Sequence, residues 1–226
     1  AINVHLYRPF SKKFFMAAMP KTVKRIAVLD RTKESGSIGE PLYLDVKSLY
    51  YAEKEQPVII GGRYGLSSKD TTPAQIFAVY KNLAKGEEAQ DNFTVGINDD
   101  VTFLSLPLEK EINVAGDKAS QLIFFGLGSD GTVGANKSTI KLIGENTDNY
   151  AQAYFAYDSK KSGGVTRSHL RFSPEPIRST YLVTQADFVA CSLDTYVEKY
   201  DMLSSLKENG TFLLNTTKSV EDLVAY

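Results

Sequence analysis

Two glycine-rich loops carry the residues best suited to binding chemistry in this sequence. The first, Gly61 to Asp70, has the sequence GGRYGLSSKD and precedes a helix marked by Thr72 and Pro73. Backbone N–H groups at a glycine, serine hydroxyls and a lysine ammonium together suit a phosphate. A phosphate cradle is therefore predicted over Gly65, Leu66, Ser67, Ser68 and Lys69. The alternative is an ordinary loop and helix cap with a solvated lysine.

The second loop, GLGSDGTVGANK, runs from Gly126 to Lys137 between an apolar strand pattern and a helical pattern. It satisfies G-x-G-x-x-G, a motif that is weak when it stands alone. An amide and a cation follow, at Asn136 and Lys137, where the N-terminus of a helix could receive a phosphate. The candidate residues are Gly128, Ser129, Asp130, Gly131, Asn136 and Lys137. The alternative is a turn that packs closely against a neighbouring domain.

A third polar loop, Asp30 to Glu40, follows a predicted strand. Open α/β sheets bind ligands at the carboxyl ends of their strands, so this loop lies where a ligand site is expected. Arg31 and Glu34 could pair across it, and Arg31 or Lys33 could meet an anion. A charged network at a domain interface explains the same residues equally well, and no catalytic role is predicted.

Composition excludes several classes of site and partner. A single cysteine, Cys191, excludes an internal disulfide framework and any cluster held by several thiolates of this chain. We predict no catalytic residue and no metal ligand. A formal net charge of −1 without a long basic block argues against nucleic acid. No apolar run reaches the roughly 18 residues that a membrane span needs, so the sequence predicts a soluble, intracellular segment.

The elements that position these loops follow an α/β pattern. Short apolar runs alternate with helical periodicity, which is typical of parallel sheets with β-α units. Two units are expected, residues 1–88 and 89–226, joined by a polar stretch. The first includes a strand at Val4 to Tyr7 and a short helix at Lys12 to Met19. The second includes a strand at Thr180 to Val183 and a helix at Thr195 to Leu206 that is capped by Gly210. A start at Ala1 and an end within an apparent helix predict an internal segment of a longer protein.

Read in order, the strings of this chain resemble those of pyruvate:ferredoxin (flavodoxin) oxidoreductase. The strings are RTKE, GEPLYLDV, GGRYGLSSKD, DDVT, SLPL, GLGSDGTVGANK, YDSKKSGG, HLRFS and STYLV. They extend over nearly all of the chain. The resemblance implies two Rossmann-like three-layer units. The first would be the C-terminal part of a domain similar to the transketolase C-terminal domain, and the second would be the third domain, which is associated with coenzyme A (CoA).

The reaction of this family, and so the function that the resemblance implies, is oxidative decarboxylation of pyruvate with CoA to acetyl-CoA and CO2, with electrons passing to ferredoxin or flavodoxin. The segment would contribute to CoA binding and domain closure and would not be active alone. Gly65 to Lys69 matches a GLGSK-like loop in which Ser67 replaces a common glycine. Asn98 is an additional predicted CoA contact, and the loop Gly126 to Lys137 would lie near the cofactor pocket or at a domain interface.

The resemblance assigns thiamine diphosphate, Mg and the 4Fe-4S clusters to other domains, and none would be ligated by this segment. The expected partners are those other domains, a second copy in a homodimer, and ferredoxin or flavodoxin. The expected compartment is the cytoplasm, or a hydrogenosome- or mitosome-like organelle in a eukaryote. The alternative function is a structural or interface module of a related fusion enzyme, such as a pyruvate:NADP oxidoreductase or a sulfite reductase subunit.

Overall fold

A computed structural model describes residues 1–158 and 163–224, and the chain forms two compact units, Ala1–Ile112 and Asn113–Tyr226. The division between these units lies after Ile112, whereas the sequence pattern predicts a boundary after residue 88. The reason is that the polar stretch after residue 84 leads into a short strand that pairs within the first unit. Residues 159–162 of the YDSKKSGG string lie outside the described residues.

The first unit is a parallel α/β structure. Its strands, in the order β1-β2-β3, are β1 Arg25–Asp30, β2 Val58–Arg63 and β3 Phe93–Thr94. Its helices are α1 Lys12–Ala18, α2 Pro41–Leu49 and α3 Pro73–Ala84. Helices α1 and α3 were predicted from the sequence, but α2 was not. Helix α2 begins with a proline at a position where the missing N–H is harmless.

Helices cover both faces of this first sheet. On one face Val28 of β1 packs with Tyr43 and Val46 of α2. On the other face Ile60 of β2 packs with Val79 of α3. Since successive strand residues point to opposite faces, β1 and β2 contribute apolar side chains to both layers. The three-layer α/β/α architecture expected for this unit is confirmed.

Two glycines of β2 allow aromatic rings to lie directly on the strand. A Cβ atom at Gly61 would lie 2.7 Å from the ring of Tyr43, and one at Gly62 would lie 2.1 Å from the ring of Phe93. Phe93 is fully buried and Tyr43 is nearly so. The glycines are therefore required for packing and not for an unusual backbone conformation.

The second unit contains a mixed five-stranded sheet in the order β5-β6-β4-β7-β8. Its strands are β4 Ser120–Leu127, β5 Tyr150–Tyr157, β6 Val165–Ser173, β7 Ala186–Cys191 and β8 Leu206–Leu214. Its helices are α4 Thr132–Asn146 and the short α5 Val220–Val224. Strands β4, β7 and β8 are parallel, whereas β6 is antiparallel to both β4 and β5.

The two faces of this second sheet are covered differently. Helix α4 lies over the face of Phe155, whose ring centroid is 5.4 Å from Lys137 Nζ. The opposite face carries the main core, where Ile123 and Val189 pack with Tyr196 of a 3-10 turn. A helix therefore forms one outer layer, and an irregular segment forms the other.

Three predicted elements differ from the structure. The helix expected at Thr195 to Leu206 is wrong, because only the 3-10 turn Asp194–Tyr196 forms there and Gly210 lies inside β8. The spacing of Leu206, Phe212 and Leu214 explains this, since all three pack against the core with the period of a strand. The strands expected at Val4 to Tyr7 and at Thr180 to Val183 are absent, since neither segment pairs with a described strand.

The two edges of the second sheet have different protection. Strand β5 has the sequence YAQAYFAY, without a charge or a proline, and it pairs with β6 in regular register along its whole length. Strand β8 carries Lys207 and Glu208, and its register with β7 shifts near its start. Charges and irregularities of that kind discourage further strand pairing, so β5 is the unprotected edge.

No helix among the described residues is long and apolar enough to cross a membrane.

We expect Gly62→Ala to lower the free energy of unfolding by about 1 to 3 kcal/mol, because the added methyl overpacks the strand against Phe93. Gly134→Ala is the matched control. Gly134 is exposed on α4 with no atom near the added Cβ, and alanine there should stabilise by roughly 0.5 to 1 kcal/mol. Urea denaturation followed by circular dichroism measures both; equal effects of the two substitutions would contradict the packing role.

Candidate functional site

The carboxyl ends of β1, β2 and β3 form one edge of the first sheet. Backbone hydrogen bonds continue across that edge, from Tyr64 N to Asp30 O and from Val95 N to Arg63 O. The loops that follow the three strands therefore start side by side. Two of the three polar loops found in the sequence, those after β1 and β2, come together here.

Asp30 at the end of β1 caps helix α2. Its two carboxylate oxygens accept hydrogen bonds from Leu42 N and Tyr43 N, both at 3.0 Å. Burial raises the pKa of Asp30, and the two N–H donors oppose that shift. A carboxylate at the positive end of a helix is favourable, so this contact fixes α2 against the strand.

A buried ion pair links the β1 loop to β2. Glu40 accepts a hydrogen bond from Arg63 Nε at 2.5 Å, and the two side chains are 4% and 14% exposed. The other oxygen of Glu40 accepts the Glu34 N–H at 2.6 Å, while Arg63 also donates to Asn92 O at 3.1 Å. One pair thus fixes the β1 loop, the end of β2 and the start of β3.

Arg31 contacts the second loop instead of its own. Its Nε donates to Gly65 O at 3.2 Å, and the pair predicted between Arg31 and Glu34 is absent among the described residues. A Cβ at Gly65 would lie 3.0 Å from Arg31 Nε. A side chain at position 65 would therefore crowd Arg31, whereas glycine leaves room for the guanidinium to reach the backbone.

The predicted cradle has an unusual backbone. Gly65, Ser67 and Ser68 all have left-handed conformations, with φ of 59°, 56° and 57°. For a residue with a side chain this conformation costs roughly 1 to 2 kcal/mol. Ser67 thus keeps the conformation that a glycine would adopt most easily. Strained non-glycine residues cluster at functional sites, so the loop favours a functional hypothesis.

The polar side chains of the cradle are accessible to a ligand. Ser67, Ser68 and Lys69 are exposed, and among the described residues no ion pair involves Lys69. The cradle leads to α3, whose N-cap residue Thr72 makes no side-chain capping bond. The positive end of that helix dipole therefore remains for another group.

Asn98 lies at the same edge, in the exposed loop after β3. No described hydrogen bond joins it to the cradle. Its neighbour Asp99 organises the loop, since it accepts hydrogen bonds from the Thr102 hydroxyl and from N–H groups including those of Thr102 and Leu104. The hydroxyl and backbone donors lower the pKa of Asp99. The D-D-V-T string was the available signal for this turn.

The glycine loop of the second unit already contains an anion. Asp130 accepts hydrogen bonds from Leu127 N at 2.8 Å, Thr132 N at 2.8 Å and Ser192 Oγ at 2.6 Å. Although burial raises the pKa of Asp130, these donors outweigh it and the pKa is lowered. The N-terminus of α4 therefore carries its own carboxylate, which would repel a phosphate.

The other candidate residues of this loop differ in burial and in backbone conformation. Gly128 and the left-handed Ser129 and Gly131 form the turn. Asn136 is 4% exposed, whereas Lys137 is exposed and lies over the Phe155 ring. The amide is therefore buried while the ammonium lies at the surface against an aromatic ring, and the packing alternative is compatible with this arrangement.

Neither a metal site nor a reactive thiol is evident in the described part of the chain. No group of three or more histidine, cysteine or acidic side chains is placed to hold a metal ion within residues 1–158 and 163–224. Cys191 is buried, its Sγ donates to Leu193 O, and burial raises its thiol pKa. A raised pKa disfavours the reactive thiolate.

Comparison with known proteins gives a consistent result. The family model for pyruvate ferredoxin/flavodoxin oxidoreductase matches residues 121–224. The chain is 60% identical over 223 residues to a pyruvate-flavodoxin oxidoreductase of Enterobacter agglomerans and 54% identical over 222 residues to a pyruvate:ferredoxin oxidoreductase of Moorella thermoacetica. Each match covers 98% of this chain and 19% of the relative. The chain therefore spans about a fifth of the length of these curated relatives.

A further relative and a solved structure complete the comparison. The mitochondrial pyruvate dehydrogenase [NADP(+)] of Euglena gracilis is 52% identical over 226 residues, which is 99% of this chain and 12% of the relative. A solved pyruvate oxidoreductase subunit from Thermotoga maritima matches with a TM-score of 0.40 at 22% identity, over 48% of this chain and 56% of that one.

We expect Glu40→Gln to lower the free energy of unfolding by about 3 kcal/mol, because it leaves the largely buried Arg63 without its counter-charge. The control is Glu109→Gln, which removes the exposed pair with Lys81 and should change the free energy of unfolding by less than about 1 kcal/mol. Urea denaturation with circular dichroism is suitable, since the chain has no tryptophan. A similar loss in the free energy of unfolding for Glu40→Gln and Glu109→Gln would contradict the prediction that burial makes the Glu40–Arg63 pair the costlier one to break.

Proposed function

The chain belongs to the pyruvate ferredoxin/flavodoxin oxidoreductase family, and from this premise we propose that it is the part of such an enzyme that helps to hold CoA. The complete enzyme would decarboxylate pyruvate oxidatively, transfer the acetyl group to CoA and pass the electrons to ferredoxin or flavodoxin. Thiamine diphosphate, Mg and the 4Fe-4S clusters would be bound by other domains. This segment would contribute ligand binding and domain closure, and no group of it would take part in the chemistry.

The observation that carries this proposal is the cradle before α3. Left-handed Gly65 and Ser67 bend the chain, Lys69 offers an ammonium without a counter-ion among the described residues, and the following helix end has no side-chain cap. A diphosphate supplies the negative charge and the acceptor oxygens that such a site favours. CoA contains that group, and Asn98 at the same sheet edge could contact a more distant part of it.

The glycine loop of the second unit is less suitable for the phosphates. A phosphate at the N-terminus of α4 would meet the carboxylate of Asp130, which Ser192 and two backbone N–H groups hold in place. A phosphate and a carboxylate at the same helix N-terminus repel each other strongly in a partly buried site. We therefore keep Gly65 to Lys69 as the CoA site and assign the loop around Gly131 to packing.

A structural or interface role is the second candidate function. The observation that favours it is the exposure of α4, in which Asn136 is the buried residue among those described and Leu142 is 61% exposed. This exposed face, which carries Leu142, is available for contact with another domain or subunit. The chain is also 52% identical to the NADP-dependent relative. Either role, CoA binding or interface contact, is therefore compatible with a fusion enzyme. Variants of the α4 loop would then lose assembly before they lose CoA affinity.

We expect Lys69→Ala, in the full-length enzyme, to raise the Kd for CoA by about tenfold or more. A charge-assisted hydrogen bond is typically worth about 1.5 to 3 kcal/mol, and 1.4 kcal/mol corresponds to a factor of ten. Isothermal titration calorimetry measures the Kd directly. The control is Lys85→Ala, which removes an exposed lysine at the opposite end of α3 and should leave the Kd unchanged.

The salt dependence of binding gives a second readout. If Lys69 contacts a phosphate, the unmodified enzyme should lose CoA affinity as ionic strength rises, and Lys69→Ala should reduce that dependence. A titration curve for Lys69→Ala that matches the unmodified enzyme at every salt concentration would exclude the cradle as the phosphate site.

A further inference from the structure

One buried acceptor at the start of α3 has no protein partner. Gln75 is 7% exposed and belongs to the first turn of the helix. Its Nε2 donates to Asp70 O at 3.4 Å, but its Oε1 makes no hydrogen bond to any described residue. The amide orientation follows from this contact, because the Asp70 carbonyl can only accept. The hydroxyl of Thr72, the N-cap residue, is likewise buried and unpaired among the described residues.

The same helix shows how a buried amide is normally satisfied. Asn82, two turns further along α3, is 2% exposed. Its Nδ2 donates to Gln90 O at 2.8 Å, and its Oδ1 accepts Gln90 N at 2.9 Å. Buried polar side chains nearly always have such partners, and an unmatched one in a native structure calls for a specific reason. The Oε1 of Gln75 has no such partner among the described residues, although it lies in the first turn of α3, next to the cradle.

The end of β3 is adapted to the Gln75 side chain. Gly96 has a φ of 84°, and a Cβ atom there would lie 2.7 Å from Gln75 Oε1. Any side chain at position 96 would therefore displace the amide. The glutamine is held between Asp70, which directly follows the cradle lysine, and the strand end that leads to Asn98. The amide thus contacts the residue after the cradle lysine and lies against Gly96, two residues before Asn98.

We propose that Gln75, assisted by Thr72, is a second binding point for CoA and accepts a hydrogen bond from a hydroxyl or amide N–H next to the diphosphate. This inference rests on the proposed function, because the phosphates would occupy the cradle. CoA carries such donors on both sides of its diphosphate, a hydroxyl and an amide on the pantetheine arm and a hydroxyl on the ribose. The last torsion of a glutamine is broad, so the amide can turn toward a donor without a backbone change.

The test uses Gln75→Met in the full-length enzyme. Methionine keeps the length of the side chain and removes the acceptor. Since the acceptor has no partner among the described residues and the donor contact that is lost, Nε2 to Asp70 O, is long at 3.4 Å, the substitution should change the Tm little, while the Kd for CoA rises about tenfold. Thr72→Val, which removes the second unpaired group, should raise the Kd by a smaller factor. Asn82→Leu is the control with the opposite signature, a lower Tm and an unchanged Kd.

Two fragments of CoA identify the donor. Phosphopantetheine carries the pantetheine donors, and ADP carries the ribose donors with the diphosphate. A penalty from Gln75→Met with either fragment supports the inference and locates the hydrogen bond. An unchanged Kd for CoA and for both fragments overturns it, as does a loss of affinity that accompanies a fall in Tm.

Lys69→Ala separates this inference from the proposed function. If Lys69→Ala weakens CoA binding and Gln75→Met does not, the phosphates bind in the cradle but Gln75 is not a contact. If neither substitution changes the affinity, the cradle itself is not the CoA site, and both proposals fail together.

Discussion

The ion pair between Glu40 and Arg63 holds together the sheet edge on which the proposed ligand site depends. Three separate stretches of backbone meet at these two side chains, through Glu34 N, Asn92 O and the strand that carries Arg63. A buried pair of this kind is weak evidence for high stability, since desolvation opposes the attraction. Its main effect is positional: it restricts the β1 loop, and the Arg31 side chain at the start of that loop reaches Gly65 and thereby the cradle.

Much of this edge could be predicted from sequence, because its signals are local. Gly61 to Asp70 follows an apolar run and precedes Pro73, so strand, loop and helix are each marked by neighbouring residues. The conformation of Ser67 was harder to predict, since serine has no intrinsic preference for left-handed backbone. The resemblance to a glycine-containing loop was the available signal for it, since glycine adopts left-handed backbone at little steric cost.

The remaining features depend on contacts between distant residues. Helix α2 was missed because its cap is Asp30, a residue of the preceding strand. The space for the Gln75 amide depends on the close approach of Gly96, and the burial of Asn136 depends on how α4 lies on its sheet. Leu206, the first residue of β8, was taken for the end of a helix because the polar residues Lys207 to Gly210 interrupt the apolar alternation that only the core reveals.

The uncharged edge of β5 has a consequence for handling the protein. Tyr150, Tyr154 and Tyr157 are half or more exposed along a strand whose outer backbone groups pair with no described strand. Nothing in YAQAYFAY discourages another extended chain from adding to it. At high concentration the isolated segment should therefore be limited by solubility before it is limited by folding, and lysine at an exposed tyrosine of this edge is the first change to consider for biophysical work.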